Sequence, residues 1–132
     1  MTQEQISGKA RPVLFVDDTA DTRFLVEYSL QQEGLVVHSA QTAEEALDLA
    51  RKNSYALILL DIGLPDKDGL QLCREIRIFD PHTPILFYSA FAELLDRAEA
   101  IAAGAQGSLR KPEDTHRLGQ IARSFVEGAS SR

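Results

Sequence analysis

Three apolar runs constrain this chain more than any other feature: Val13-Leu14-Phe15-Val16, Ala56-Leu57-Ile58-Leu59-Leu60 and Ile85-Leu86-Phe87-Tyr88. A strand with one wet face alternates apolar and polar side chains. A short run that is apolar at every position is covered on both faces, as in a parallel sheet held between two layers of helices. Two weaker strands are expected at residues 35–39 and 106–110. The segments between the strands read as helices, so five strands alternate with five helices in a doubly wound α/β domain.

The helices carry their own marks. Thr42-Ala43-Glu44-Glu45 has the form of a capping box, and Ala43, Ala46, Leu47 and Ala50 come after it at helical spacing. Leu94, Ala98 and Ile101 outline one face of a helix that stops before Gly104. Leu118, Ile121, Ala122 and Phe125 outline another, after Pro112, which fits a first helical turn. The first helix, residues 19–32, bears two apolar stripes: Val26 with Leu30, and Phe24 with Tyr28 more than a quarter-turn away. Both stripes can hardly be buried together, so Phe24 and Tyr28 are candidates for a partly exposed partner-binding surface.

Composition narrows the function classes. With 132 residues and 44% hydrophobic content, the chain is sized for one domain with one core. It divides into a tail at 1–11, a domain at 12–127 and a short tail at 128–132, with no output domain expected. No apolar run reaches the roughly 18 residues of a membrane span, and the start of the chain lacks the apolar stretch of a signal peptide. A soluble, cytoplasmic protein is expected. The single cysteine, Cys73, excludes an intrachain disulfide and a cysteine zinc cluster, and reads as a small buried hydrophobe. A net charge of −6 argues against a broad nucleic-acid surface.

The polar residues at the strand ends carry the chemistry. The first run ends in Asp17-Asp18, the second in Asp61 and the third in Ser89, and the last weak strand ends in Lys111. Ligands of open α/β sheets bind beyond the carboxyl ends of the strands, so these side chains are expected to converge. Charges of like sign ~4 Å apart repel by about 4 kcal/mol at an effective dielectric of roughly 20, so three carboxylates call for a cation. Oxygen-only ligands favour Mg²⁺, for which Mn²⁺ can substitute, over zinc. A carboxylate can attack phosphorus to form an acyl phosphate while a metal and a lysine neutralise the transferred group. Asp61 then serves as nucleophile, Asp18 as metal ligand, Lys111 as counter-ion to the phosphoryl group, and Ser89 as a hydrogen-bond donor to it. A lone Asp after a strand is usually a helix cap. Five suitable groups at one end of one sheet are seldom produced by independent caps.

On these residues the sequence resembles a response-regulator receiver domain. The motifs are Asp17-Asp18, Asp61-Ile62-Gly63-Leu64-Pro65-Asp66-Lys67-Asp68-Gly69, Ser89-Ala90 and Lys111-Pro112, and the resemblance spans about residues 11–126. It implies a flavodoxin-like five-stranded parallel sheet in the order 2-1-3-4-5 with five helices. It also implies Mg²⁺ held by Asp18, Asp61 and the main-chain carbonyl of Gly63, with Asp17 assisting through water, and a cis Lys111-Pro112 bond. One position departs from the family pattern: an aromatic residue usually stands three places before the lysine, where this chain has Ser108. Phosphorylation is therefore expected to rearrange chiefly the loop at 89–93, with a weaker change over 94–125 and with Phe91 sharing the switch role of Ser89 and Ser108.

The implied function is a stand-alone response regulator in a two-component phosphorelay. It takes its phosphoryl group from a histidine kinase or a histidine phosphotransfer protein and signals to a downstream target protein by contact, without nucleic acid or membrane. It is a phosphoprotein rather than an enzyme, apart from catalysing its own phosphorylation and dephosphorylation. An Asp-nucleophile phosphatase of the haloacid-dehalogenase kind is disfavoured because Gly63 occupies the place of the second Asp, and no glycine-rich phosphate loop or nucleophile elbow is present. The alternative is a receiver-like interaction module that works without phosphorylation; the complete set of site groups weighs against it.

Overall fold

The computed structural model describes residues 11–90, 97–111 and 114–130. The chain alternates β1 (Val13–Val16), α1 (Ala20–Gln32), β2 (Val37–Ala40), α2 (Ala43–Lys52), β3 (Leu57–Leu60), α3 (Gly69–Phe79), β4 (Ile85–Ser89), α4 (Arg97–Ala103), β5 (Gly107–Arg110) and α5 (Leu118–Ser130), with a 3₁₀ turn at Thr115–Arg117. All strand pairs are parallel, in the order β2-β1-β3-β4-β5. This is the doubly wound sheet expected from the uninterrupted apolar runs.

Each strand sends alternate side chains to opposite faces, and both faces are filled. Leu14, Val16, Ile58, Leu60, Ile85 and Phe87 meet Ala46 and Leu47 of α2, Leu72 and Ile76 of α3, and Ala100 and Ala103 of α4. Val13, Phe15, Leu57, Leu59, Leu86, Tyr88 and Leu109 meet Val26 and Leu30 of α1 and Leu118, Ala122 and Val126 of α5. Truncating a side chain such as Leu59 or Leu60 to Ala costs about 2–5 kcal/mol, since neither face has solvent to fill the gap. Cys73 is buried and its thiol donates to the carbonyl of Ala103 at 3.2 Å. Burial pushes that thiol up to about 11, against the pull of Arg77 and Arg74.

Several details differ from the sequence reading. β2 begins at Val37 rather than at residue 35, because the N–H of Leu35 is used to close α1 on the carbonyl of Leu30 at 3.1 Å. In α4 the buried face is Ala100 and Ala103, whereas Ile101 is 58% exposed. The expected apolar stripe through Ile101 is therefore on the wrong side of the helix: small alanines pack there, and Arg77 of α3 lies over Gly104, donating to its carbonyl at 2.8 and 3.0 Å. The last helix starts at Leu118 after the 3₁₀ turn and continues to Ser130, past the boundary expected at 127, and the first turn expected at Pro112 falls outside the described residues. Leu94, Phe91 and the Lys111-Pro112 bond fall outside the described residues in whole or in part.

The capping box at α2 forms with one variation. Thr42 Oγ1 accepts from the N–H of Glu45 at 3.1 Å, while Glu45 Oε1 accepts from Gln41 rather than from Thr42. The remaining N–H groups of Ala43 and Glu44 are taken by Asp66, at 2.8 and 3.0 Å. Asp66 belongs to the loop between β3 and α3, so one carboxylate ties that loop to a neighbouring helix.

Candidate functional site

The ladder hydrogen bonds run one residue past the strand ends, and this fixes the site. The N–H of Asp17 donates to Ala40 at 3.0 Å, that of Asp61 to Val16 at 3.0 Å, and that of Lys111 to Ser89 at 3.1 Å. Each of these residues is thereby held in register with the neighbouring strand. Their side chains are aimed at one point beyond the carboxyl edge.

Asp17 is fully buried and Asp61 is 8% exposed, while Asp18 is exposed. Carboxylate oxygens of the three lie within 4.8 Å of one another, the one group of this kind found among the described residues. The Lys111 ammonium is paired with Asp17 Oδ2 and stands 3.3 Å from Asp61 Oδ2. Burial opposes the charge on Lys111, but the hydrogen bond to Asp17 and the field of Asp61 outweigh it, and its pKa is raised. Asp17 is held further by the N–H of Thr19 on Oδ1 at 2.8 Å, and its carbonyl accepts from Arg23 at 2.9 Å.

Such a donor set offers oxygen alone; the cysteine is buried elsewhere and none of the three histidines is part of the cluster. It suits a hard divalent cation of the Mg²⁺ kind and not zinc. Both oxygens of Asp17 are engaged, by Thr19 and by Lys111, whereas Asp18 faces solvent and Asp61 meets Lys111 at the longer distance of 3.3 Å.

The loop after Asp61 is shaped by its last glycine. Gly69 N–H donates to the carbonyl of Ile62 at 2.7 Å, and Asp68 caps α3 by accepting from Gln71 at 2.8 Å. Gly63 is exposed two residues beyond Asp61, its N–H 3.4 Å from Asp61 Oδ1. Ser89 is buried at the last position of β4. Ser108 is exposed on β5, opposite Phe87 in the register. Phe24 and Tyr28 are 68% and 57% exposed on the outer side of α1, with Leu25 exposed beside them. Phe91 lies outside the described residues.

Sequence reasoning missed Asp66, Arg23, Tyr88 and Thr115. The Tyr88 ring lies under the Lys111 ammonium, 5.3 Å from its centroid, and its hydroxyl is bonded to Thr115. Tyr88 was legible only as one more member of an apolar run, and nothing in the sequence separates it from Phe87.

The chain matches the response regulator receiver domain family over residues 13–123. The transcriptional regulatory protein SrrA of Staphylococcus aureus is 38% identical over 100 residues, which cover 76% of this chain and 41% of SrrA. The match thus spans about two fifths of that relative's length. A CheY-like response regulator receiver domain protein from Methanospirillum hungatei has the same fold, with a TM-score of 0.82 at 26% identity, covering 92% of this chain and 97% of that one. The response regulator TrrA of Thermotoga maritima, solved in complex with Mg(2+)-BeF, gives 0.78 at 28% identity, with coverage of 88% and 99%. Among the described residues no helix is long and apolar enough to cross a membrane. Since the family match begins at the first residue of β1, takes in all five strands and ends within α5, the chain belongs to the response regulator receiver domains of two-component systems.

Proposed function

We propose that this receiver accepts a phosphoryl group on Asp61 from a histidine kinase or a histidine phosphotransfer protein and passes the signal on by contact with a target protein. The observation that carries the reading is the Lys111 ammonium set between Asp17 and Asp61, with Asp18 beside them at the edge of the sheet. An Asp61 carboxylate oxygen attacks phosphorus; the P–N bond of the phosphohistidine breaks, and the electron pair leaves with the imidazole. Lys111, already charged and dehydrated, transfers its hydrogen bonds from the carboxylates to phosphoryl oxygens. Ser89 donates to another of them. Asp18, Asp61 and the carbonyl of Gly63 would hold Mg²⁺, for which Mn²⁺ would substitute, and Asp17 would assist through water. The bound ion supplies positive charge that offsets the charge on the transferred group.

In this reading the same groups later favour attack by water on the acyl phosphate, so the domain catalyses its own phosphorylation and dephosphorylation and turns over no other substrate. Ser89, Phe91 and Ser108 are the switch positions, and Phe24 with Tyr28 forms part of the surface that meets the phosphodonor. In this reading the protein works in the cytoplasm. The test of the chemistry is intact mass after incubation with acetyl phosphate. A gain of one phosphoryl group that requires Mg²⁺ is expected. A chain that gains none yet still binds its target would be a phosphorylation-independent interaction module.

A further inference from the structure

Tyr88 is the last residue of β4 before Ser89, and its side chain enters the layer between the sheet and helices α1 and α5. It is 2% exposed, and the ring of Phe15 lies against it with centroids 6.2 Å apart. Its π-face holds the Lys111 ammonium at 5.3 Å, within the ~6 Å reach of a cation–π contact, and Lys111 is only 17% exposed. The other end of the ring carries a hydroxyl, bonded to Thr115 Oγ1 at 2.5 Å. A single rigid side chain thus spans the distance from the ammonium at the acidic site to the turn that leads into α5.

That turn is itself stiff. Asp114 accepts from the N–H of Arg110 at 2.8 Å and from the Arg117 side chain at 3.1 Å, while its own N–H returns to the carbonyl of Arg110 at 2.8 Å. The carbonyl of Asp114 also accepts from the N–H of Arg117 at 3.1 Å, and Leu118 and Ala122 lead directly into the core. Displacement of Thr115 is therefore passed to the first turns of α5. Space for such displacement exists: a cavity of about 140 Å³ lies between α1 and this turn, lined by Val26, Tyr88, Lys111 and Thr115 among others.

We propose that Tyr88 is a positioning residue for Lys111 and, through its hydroxyl on Thr115, carries the movement of Lys111 during phosphorylation to the turn at Thr115–Arg117 and the start of α5. The inference rests on the phosphoacceptor reading of Asp61. When Lys111 exchanges the carboxylates of Asp17 and Asp61 for phosphoryl oxygens, its place over the ring changes, and the ring and the Thr115 turn adjust together. A ligand shifts a two-state element only by what it contributes differently to the two states, and here that difference is the position of one cation over one ring.

The chain has three tyrosines and no tryptophan, which makes the ring directly observable. With ring-labelled tyrosine, addition of beryllofluoride and Mg²⁺ should move the Tyr88 signals more than those of Tyr28 or Tyr55, together with the amides of residues 115–122. In Tyr88→Phe and in Thr115→Val the amide shifts at 115–122 should be lost while those beside Asp61 remain. Acetyl phosphate labelling should slow several-fold in Tyr88→Leu, and Tyr88→Phe, which keeps a ring under Lys111, should restore most of the rate. Undisturbed Tyr88 signals, or full shifts at 115–122 in the two hydroxyl variants, would overturn this inference alone, provided the amides next to Asp61 respond. Absence of any response next to Asp61 would instead overturn the phosphoacceptor reading, and the inference with it.

Discussion

Gly69 packs against the main chain of Asp61 so closely that a Cβ built on it would stand 2.3 Å from the Asp61 carbonyl oxygen and 2.9 Å from the Cα of Ile62. The missing side chain of the first residue of α3 therefore sets how closely the Asp61 loop can pack against that helix. Both obstacles are backbone atoms, so no side-chain rotation relieves the clash. Gly69→Ala should destabilise the domain by about 1–3 kcal/mol, the usual cost of overpacking. It should also slow acetyl phosphate labelling, because the relief has to come from the loop that carries Asp61 and Gly63. Urea melts and labelling rates check both effects; a variant as stable as the parent would show that the loop is not held in this way.

Asp66 fastens the same loop from the other side, through the N–H groups of Ala43 and Glu44. Burial works against its charge, but these two donors outweigh it and its pKa is lowered. A lowered folded pKa contributes stability that is present above the unfolded value, near ~3.9, and is lost as pH falls through the folded one. Asp66→Ala should then cost about 0.5–2 kcal/mol at neutral pH, as for other helix caps, and the deficit should shrink below about pH 4. Melts of both proteins across the acid range test this, and a deficit independent of pH would assign the effect to packing.

Lys111 neutralises Asp17 and Asp61 in the absence of metal. Its replacement by Met leaves two largely buried carboxylates facing each other and should cost ~3 kcal/mol without metal. Mg²⁺ should recover more stability in Lys111→Met than in the parent, since the ion then supplies the missing charge. Asp18→Ala should do the reverse: it weakens Mg²⁺ binding and leaves the metal-free fold as stable as before or slightly more so. Paired urea melts with and without Mg²⁺ measure both changes, and a metal-free Asp18→Ala less stable than the parent would contradict the repulsion on which this rests.

The part of this architecture legible in the sequence was the part written in side-chain type. Runs apolar at every position pointed to the parallel sheet, and the polar residues ending them marked the edge where Asp17, Asp18, Asp61, Ser89 and Lys111 now lie. The features that stayed hidden depend on orientation within a helix or across a layer. Ile101 and Ala100 are adjacent in sequence, yet only the smaller one fits against the core. Asp66 could as well have been solvated, and it is the approach of α2 that makes it a cap. Tyr88 looks like core from its neighbours, and only the fold shows Lys111 on one end of it and Thr115 on the other.

Phe24 and Tyr28 contribute little to the folded core, being exposed on α1. The double substitution Phe24→Ala, Tyr28→Ala should change stability by less than about 0.5 kcal/mol per site. Transfer from the phosphorylated histidine kinases of the source cells should nevertheless slow, while labelling by acetyl phosphate, which needs no docking surface, should not. Kinase transfer as fast as in the parent would remove these residues from the donor surface.

The claim that Asp61 alone receives the phosphoryl group is tested most directly by locating it. An aspartyl phosphate is an acyl phosphate, and borohydride reduces it to homoserine with release of phosphate, leaving a stable mark on the residue that carried it. After labelling with acetyl phosphate and Mg²⁺, reduction and peptide sequencing by mass spectrometry, homoserine is predicted at position 61 and at no other aspartate, with none in Asp61→Asn. Homoserine at Asp17, Asp18 or Asp66, or equal labelling of the Asp61→Asn protein, would contradict the account.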